Sequence, residues 1–145
     1  MRAGKALIAA AISAVSAFLG WKGLMALCWL VAMGLDYISG TVAALKAGNW
    51  SSSLARAGIF HKCGMIFAVV VAALADSVMA MVCGNIPILE ITWPGLLLPL
   101  VLAWYILTEL GSILENAVKL GAAVPQWLTK LLKIGLSAVD SAAEK

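Results

Sequence analysis

Charge is what this chain has least of. Of its 145 residues 12% are charged, against 63% that are hydrophobic, and the mean hydropathy is +1.03. A soluble domain carries about twice that charged fraction, so the chain has too little polar surface to cover a soluble globule. The net charge of +3 is small and dispersed, with no basic stripe interleaved with aromatic residues. We therefore expect a membrane protein and no nucleic-acid partner.

Residues of the types that bind metals or catalyse reactions are also scarce or isolated. Cys28, Cys63 and Cys83 are too scattered for a zinc motif and are typical of small apolar residues in membrane spans. His61 stands alone beside Lys62. The sequence holds no Ser/His/Asp or Cys/His arrangement and no glycine-rich phosphate loop. We expect no enzyme, no cofactor and no metal site.

What the chain does have is long apolar stretches. Between Lys62 and Glu90 the only charge is Asp76, and between Glu90 and Glu109 there is none. Each stretch can hold the ~20 apolar residues that cross a bilayer. The predicted fold class is all-α, an integral membrane helical protein with an amphipathic C-terminal helix. We predict membrane spans at about 24–45, 63–83 and 95–118, and a short fourth span at about 6–21. The spans belong to a transmembrane domain over 1–120, which is followed by a cytoplasmic tail over 121–145.

The segment 6–21 admits two interpretations, a short span or the apolar core of a signal peptide. If it crosses the membrane, nine of the ten Lys and Arg residues lie on the cytoplasmic side and only Lys22 lies outside. With three spans the division is seven to three. The positive-inside rule therefore favours four spans with both termini in the cytoplasm, and the C-terminus is cytoplasmic in either case.

Three predicted spans each carry one acid near the middle, and a carboxylate inside a membrane usually faces a protein interior or water. We predict a pore-lining or assembly role for these acids and for the polar residues on their faces: Asp36, Gly40, Asp76, Tyr105, Glu109, Ser112 and Asn116. The alternative is that the acids are structural groups buried within one monomer. Small residues recur at every fourth position beside the first two acids, which favours close helix packing. Besides Gly40, Gly48 and Gly84, these two rows contain the residues assigned to helix packing: Ala32, Ala44, Gly64, Ala68, Ala72 and Ala80.

Basic residues outside the spans predict contact with anionic lipid. After Pro125 a helix is expected with Trp127, Leu128, Leu131, Leu132 and Val139 on one side, as in helices that lie on membranes. The loop at 46–62 is expected at the cytoplasmic interface, where Ser51 or Ser52 could cap a short helix. The basic residues assigned to the membrane surface are Arg56, Lys62, Lys130 and Lys133.

Two stretches resemble the phage lysis and toxin-secretion holins, over about residues 30–140. The first stretch is Leu35-Asp36-Tyr37-Ile38-Ser39-Gly40, followed by Lys46, Ser51-Ser52, Gly58, Lys62 and Asp76. The second comprises Tyr105, Glu109, Ser112-Ile113-Leu114-Glu115-Asn116, Gly121 and Val124-Pro125. The resemblance implies a small phage-encoded protein of the bacterial cytoplasmic membrane. Such a protein forms homo-oligomeric lesions at a set time and releases an endolysin or a toxin.

Two other functions remain open at this point. Intramembrane acids are also what a small proton- or cation-coupled exporter needs, although the sequence shows no inverted repeat. A third interpretation is a passive scaffold that recruits a partner through the loop at 46–62.

Overall fold

The computed structural model describes the backbone of residues 2–86 and 91–144, and the side chains of residue 13 and of those residues from 20 onward. The described chain is helical, with α1 at Arg2–Lys46, α2 at Ser52–Asn85, α3 at Leu97–Lys119 and α4 at Gln126–Ala143. The all-α prediction is confirmed.

Three helical segments are long and apolar enough to cross a membrane: Gly20–Lys46, Ser52–Asn85 and Leu97–Lys119. They confirm the prediction of three helices able to span a membrane, while the boundaries 24–45, 63–83 and 95–118 stay predictions. The second is longer than expected, because most of the predicted interfacial loop forms the first turns of α2. Ser51 caps this helix, since its hydroxyl accepts a hydrogen bond from the Leu54 N–H at 3.2 Å.

Helix α1 is broken at Gly20, where φ is 66° and ψ is −179°. A positive φ favours glycine because a Cβ would be strained there. The break lies at the end of the predicted fourth span, 6–21. The side chains of that span lie outside the described residues apart from residue 13 and those from Gly20, so four spans remain a prediction.

Helix α3 is the centre of the bundle and packs against each of the other three helices, while α1 and α2 touch each other little. The apolar core is formed by Trp29, Met33, Met65, Val69 and Leu102. Leu102 is fully buried at 0% exposure. Many large apolar side chains outside this core are exposed, as expected of helices surrounded by lipid.

At each end of the bundle, a lysine side chain donates a hydrogen bond to the backbone of another segment. At one end, called the Lys46 end, the Lys46 ammonium donates to the Leu120 carbonyl at 2.7 Å. At the other, called the Gly95 end, the Lys22 ammonium donates to the Gly95 carbonyl at 2.9 Å. Lys46 is the last residue of α1, and Lys22 follows the break at Gly20 by two residues. The charged group of each lysine reaches the backbone of a neighbouring segment.

Helix α4 doubles back along α3 after a turn at Gly121, whose φ is 99°. The position of a Cβ on Gly135 would lie 3.2 Å from the Leu107 side chain, so the two helices approach closely there. The predicted amphipathic helix is present, but only part of its apolar side faces α3 and the rest is exposed. Leu132 lines the cleft against α3, whereas Leu131 is 60% exposed.

Candidate functional site

A charged cluster joins the three spanning helices. The Lys62 ammonium on α2 donates to Asp36 Oδ2 on α1 at 3.0 Å. It also donates to both carboxylate oxygens of Glu109 on α3, at 2.8 and 2.7 Å. These contacts use the donor capacity of the ammonium fully. One side chain thus connects helices whose chain positions are far apart.

An amide completes this cluster. Asn116 Nδ2 donates to Asp36 Oδ1 at 3.2 Å and to Ser39 Oγ at 3.1 Å. Gly40 permits that approach, because a Cβ there would lie only 3.4 Å from Asn116 Nδ2. Glu109 is 4% exposed and Asn116 7% exposed. Every carboxylate oxygen of the cluster therefore has a donor, as burial requires.

The cluster lies well inside the helical bundle, away from the helix ends. Asp36 precedes the end of α1 by ten residues, Lys62 follows the start of α2 by ten, and Glu109 precedes the end of α3 by ten. At ~1.5 Å per residue each is about 15 Å from the Lys46 end, half of a ~30 Å hydrocarbon core. Two carboxylates and one ammonium have a net charge of −1 when all are ionised. The interhelical polar contacts matter here because lipid supplies no hydrophobic force between helices.

Asp76 is not part of this cluster and has a different environment. Its Oδ1 accepts from Trp93 Nε1 at 2.9 Å and from the Leu97 N–H at 3.0 Å, and its Oδ2 accepts from the Leu98 N–H at 2.9 Å. The first N–H groups of a helix have no partner within that helix, and a negative charge is favourable there. The residue before α3, Leu96, makes no side-chain cap. Asp76 therefore caps α3 from the neighbouring helix, at the Gly95 end.

The structure brings together some of the residues assigned to the pore or assembly set and separates others. Asp36, Gly40, Glu109 and Asn116 meet in the charged cluster, inside one monomer. Tyr105 stacks on Trp29 with ring centroids 6.0 Å apart. Ser112 is half-buried and lines a cleft beside the cluster.

Lys62 is placed differently from the surface position expected for it. Because α2 begins at Ser52, Lys62 is already three turns inside the helix, where its ammonium lies beside two carboxylates. The sequence did contain a signal for this position. Lys62 directly precedes an apolar run, and its charge is opposite to that of the two acids Asp36 and Glu109. The other three basic residues, Arg56, Lys130 and Lys133, are exposed.

Only some residues of the two small-residue rows are covered by other helices of the same chain. Ala32 and Ala72 are buried, and Ala44 and Ala68 are half-buried. Gly64 and Ala80 are exposed, and a Cβ on Gly64 would meet nothing within 4 Å. Gly64 and Ala80 thus remain uncovered, on different faces of α2.

Two clefts lie towards the Lys46 end, and the charged cluster lines only the first of them. One, of about 850 Å³, lies between α3 and the halves of α1 and α2 nearest that end, with Tyr37, Trp50 and His61 in its wall. The other, of about 600 Å³, separates α3 from α4. The described bundle is therefore closely packed near Leu102 and open towards the Lys46 end.

The sequence of this chain is similar to a known protein family and to several bacterial proteins. A family model described as the bacteriophage holin family matches residues 13–135. An uncharacterized protein of Halalkalibacterium halodurans is 32% identical over 87% of this chain and 89% of its own length. An uncharacterized protein of Listeria monocytogenes is 32% identical over 74% of this chain and 66% of its own length.

A third relative is an uncharacterized 14.9 kDa protein from the region 3′ of nagH in Clostridium perfringens, 30% identical over 72% of this chain and 70% of its own length. No solved structure matches the chain. The family match covers all three spanning helices, every residue of the charged cluster and the first half of α4. The chain belongs to the bacteriophage holin family.

Proposed function

We propose that this protein is a holin that accumulates in the bacterial cytoplasmic membrane and then assembles into lesions that release an endolysin or a toxin. The observation that carries the proposal is membership of the bacteriophage holin family across the whole three-helix bundle. The endolysin leaves the cytoplasm through the lesion, so this function does not require direct contact between the two proteins.

The way the bundle is held together supports a change from monomer to oligomer. Among the described residues only eight apolar side chains are buried. The helices are joined instead by a polar cluster and by capping contacts, and polar contacts between helices in lipid contribute only ~1 kcal/mol each. Helices held in this way can exchange contacts within one chain for contacts between copies at modest cost. Gly64 and Ala80 are exposed on different faces of α2, and each offers a place for such contacts.

The proposed orientation places the Lys46 end in the cytoplasm. Lys46 and Lys119 lie at that end, and Arg56 lies in the first turns of α2. Positive residues are retained on the cytoplasmic side of membranes and attract anionic lipid headgroups there. In this orientation the C-terminus is on the cytoplasmic side of the membrane, and the N-terminus is cytoplasmic if residues 6–21 cross.

The test is induced expression in bacteria together with an endolysin that lacks an export signal of its own. Culture density and membrane potential are followed, with the amount of the protein in the membrane measured in parallel. We expect a lag, then abrupt loss of the potential and a fall in density. A matched culture expresses Lys62→Glu, which places a third carboxylate in the charged cluster, and should keep its potential.

Other outcomes would contradict the proposal. Graded resistance to a toxic cation without lysis would support a coupled exporter. Unchanged density and potential, with the protein accumulated in the membrane, would support a scaffold.

A further inference from the structure

Helix α3 carries a second polar face that the charged cluster does not use. It consists of Thr108, Ser112, Glu115 and Lys119, called the α3 stripe below. At 3.6 residues per turn these four residues fall within an arc of about 60°. Glu115 and Lys119 are exposed, and Thr108 and Ser112 are half-buried. The stripe is next to the face that carries Glu109 and points to one side of it.

The α3 stripe forms a ridge between the two open clefts. All four of its residues line the cleft of about 850 Å³ towards α1 and α2, and all four also line the cleft of about 600 Å³ towards α4. Within the part of the chain that the structure describes, neither the Glu115 carboxylate nor the Lys119 ammonium takes part in an ion pair. The stripe therefore borders an open cleft on each side, and its two charged groups are not engaged in ion pairs.

Helix α4 adds polar groups to the same region. Thr129 and Lys133 line the second cleft, opposite the α3 stripe. Because Gly135 packs on Leu107, α4 runs beside α3 to a level about 18 Å from Lys119, at ~1.5 Å per residue. A helix that carries lysines is thus held beside a membrane-spanning helix rather than away from it. Charged groups at such a level face water or a protein interior, because hydrocarbon does not solvate them.

We propose that the α3 stripe, together with Thr129 and Lys133 of α4, lines the aqueous lumen of the assembled lesion. This inference rests on the proposed function and identifies the surface of the chain that meets water. The Asp36–Lys62–Glu109 cluster then stays inside each subunit as a structural element. The opposite side of α3 at Leu110, which is 37% exposed, contacts lipid or a neighbouring copy.

Cysteine accessibility tests this assignment. Cys28, Cys63 and Cys83 are replaced, and Ser112→Cys is introduced into a chain with an epitope tag. The tagged chain is expressed with an excess of the wild-type chain, so that lesions form from wild-type subunits and only the tagged chain is detected. Inside-out membrane vesicles are prepared before and after the potential falls, and are treated with a bulky, membrane-impermeant maleimide. Leu110→Cys, two residues away, is the matched control.

We expect Ser112→Cys to be modified severalfold more after the potential falls than before, and Leu110→Cys to remain unmodified at both times. Thr108→Cys, one turn deeper, should behave like Ser112→Cys. Equal modification of Ser112→Cys before and after would mean a groove that is wet in the unassembled protein, which overturns the lumen assignment. Absence of modification of Ser112→Cys at both times would mean that the stripe is buried in a contact without water. That result would also overturn the lumen assignment. If the wild-type culture keeps its potential, the proposed function itself fails, and this is visible without any labelling result.

Discussion

The charged cluster makes a quantitative prediction for Lys62→Met. Methionine keeps the length of the side chain and removes its charge, so the carboxylates of Asp36 and Glu109 would face each other without the ammonium. Removing one partner of a buried ion pair costs about 3–5 kcal/mol. Because the Asp36 side chain is still 21% exposed, the lower end of that range, about 3 kcal/mol, is expected. This corresponds to roughly a 100-fold shift in the equilibrium between packed and separated helices.

The assay is unfolding of the purified full chain in detergent micelles, followed by the near-ultraviolet circular dichroism of its aromatic residues. Trp29 and Tyr105 stack in the core, and their signal should be lost when α1 and α3 separate. Lys130→Met is the control, since Lys130 is exposed and surface changes stay within about 0.5 kcal/mol. Adding Glu109→Gln to Lys62→Met removes one of the two carboxylates and should recover part of the loss. If Lys62→Met unfolds like Lys130→Met, the cluster does not hold the helices together.

Three further substitutions test single contacts. Asp76→Asn removes the charge and one acceptor at the start of α3, so we expect about 1–3 kcal/mol of destabilisation and faster amide exchange in the first turn of α3. The exposed Asp140→Asn should change neither, and equal exchange in both variants would refute the capping role. Gly40→Leu should cost about 1–3 kcal/mol in thermal unfolding by overpacking the contact between α1 and α3, while Gly34→Leu, where a Cβ meets nothing within 4 Å, should have little effect. Ser51→Ala should cost about 1 kcal/mol and increase amide exchange in the first turn of α2; unchanged exchange would show that the cap is dispensable.

Several features of this protein follow from local properties of the sequence. Hydropathy over ~20 residues depends only on neighbours along the chain, so the three spanning helices and the all-α class were predictable. The amphipathic helix after Pro125 was predictable for the same reason, because its polar and apolar residues repeat with the helical period. The importance of Asp36, Glu109 and Asn116 could also be inferred, since polar groups in a span need partners.

The identity of those partners was decided by the tertiary structure alone. Lys62 lies 26 residues from Asp36 and 47 from Glu109, and sequence position indicates how deep a side chain lies but not towards which helix it points. The same limit applies to Asp76, whose partners are the backbone N–H groups that begin α3. It also applies to α4, since amphipathicity requires a partner for its apolar side without specifying lipid or α3. Rotation of each helix about its axis is determined by contacts between helices, and these contacts turn Lys62 inward and fold α4 back along α3.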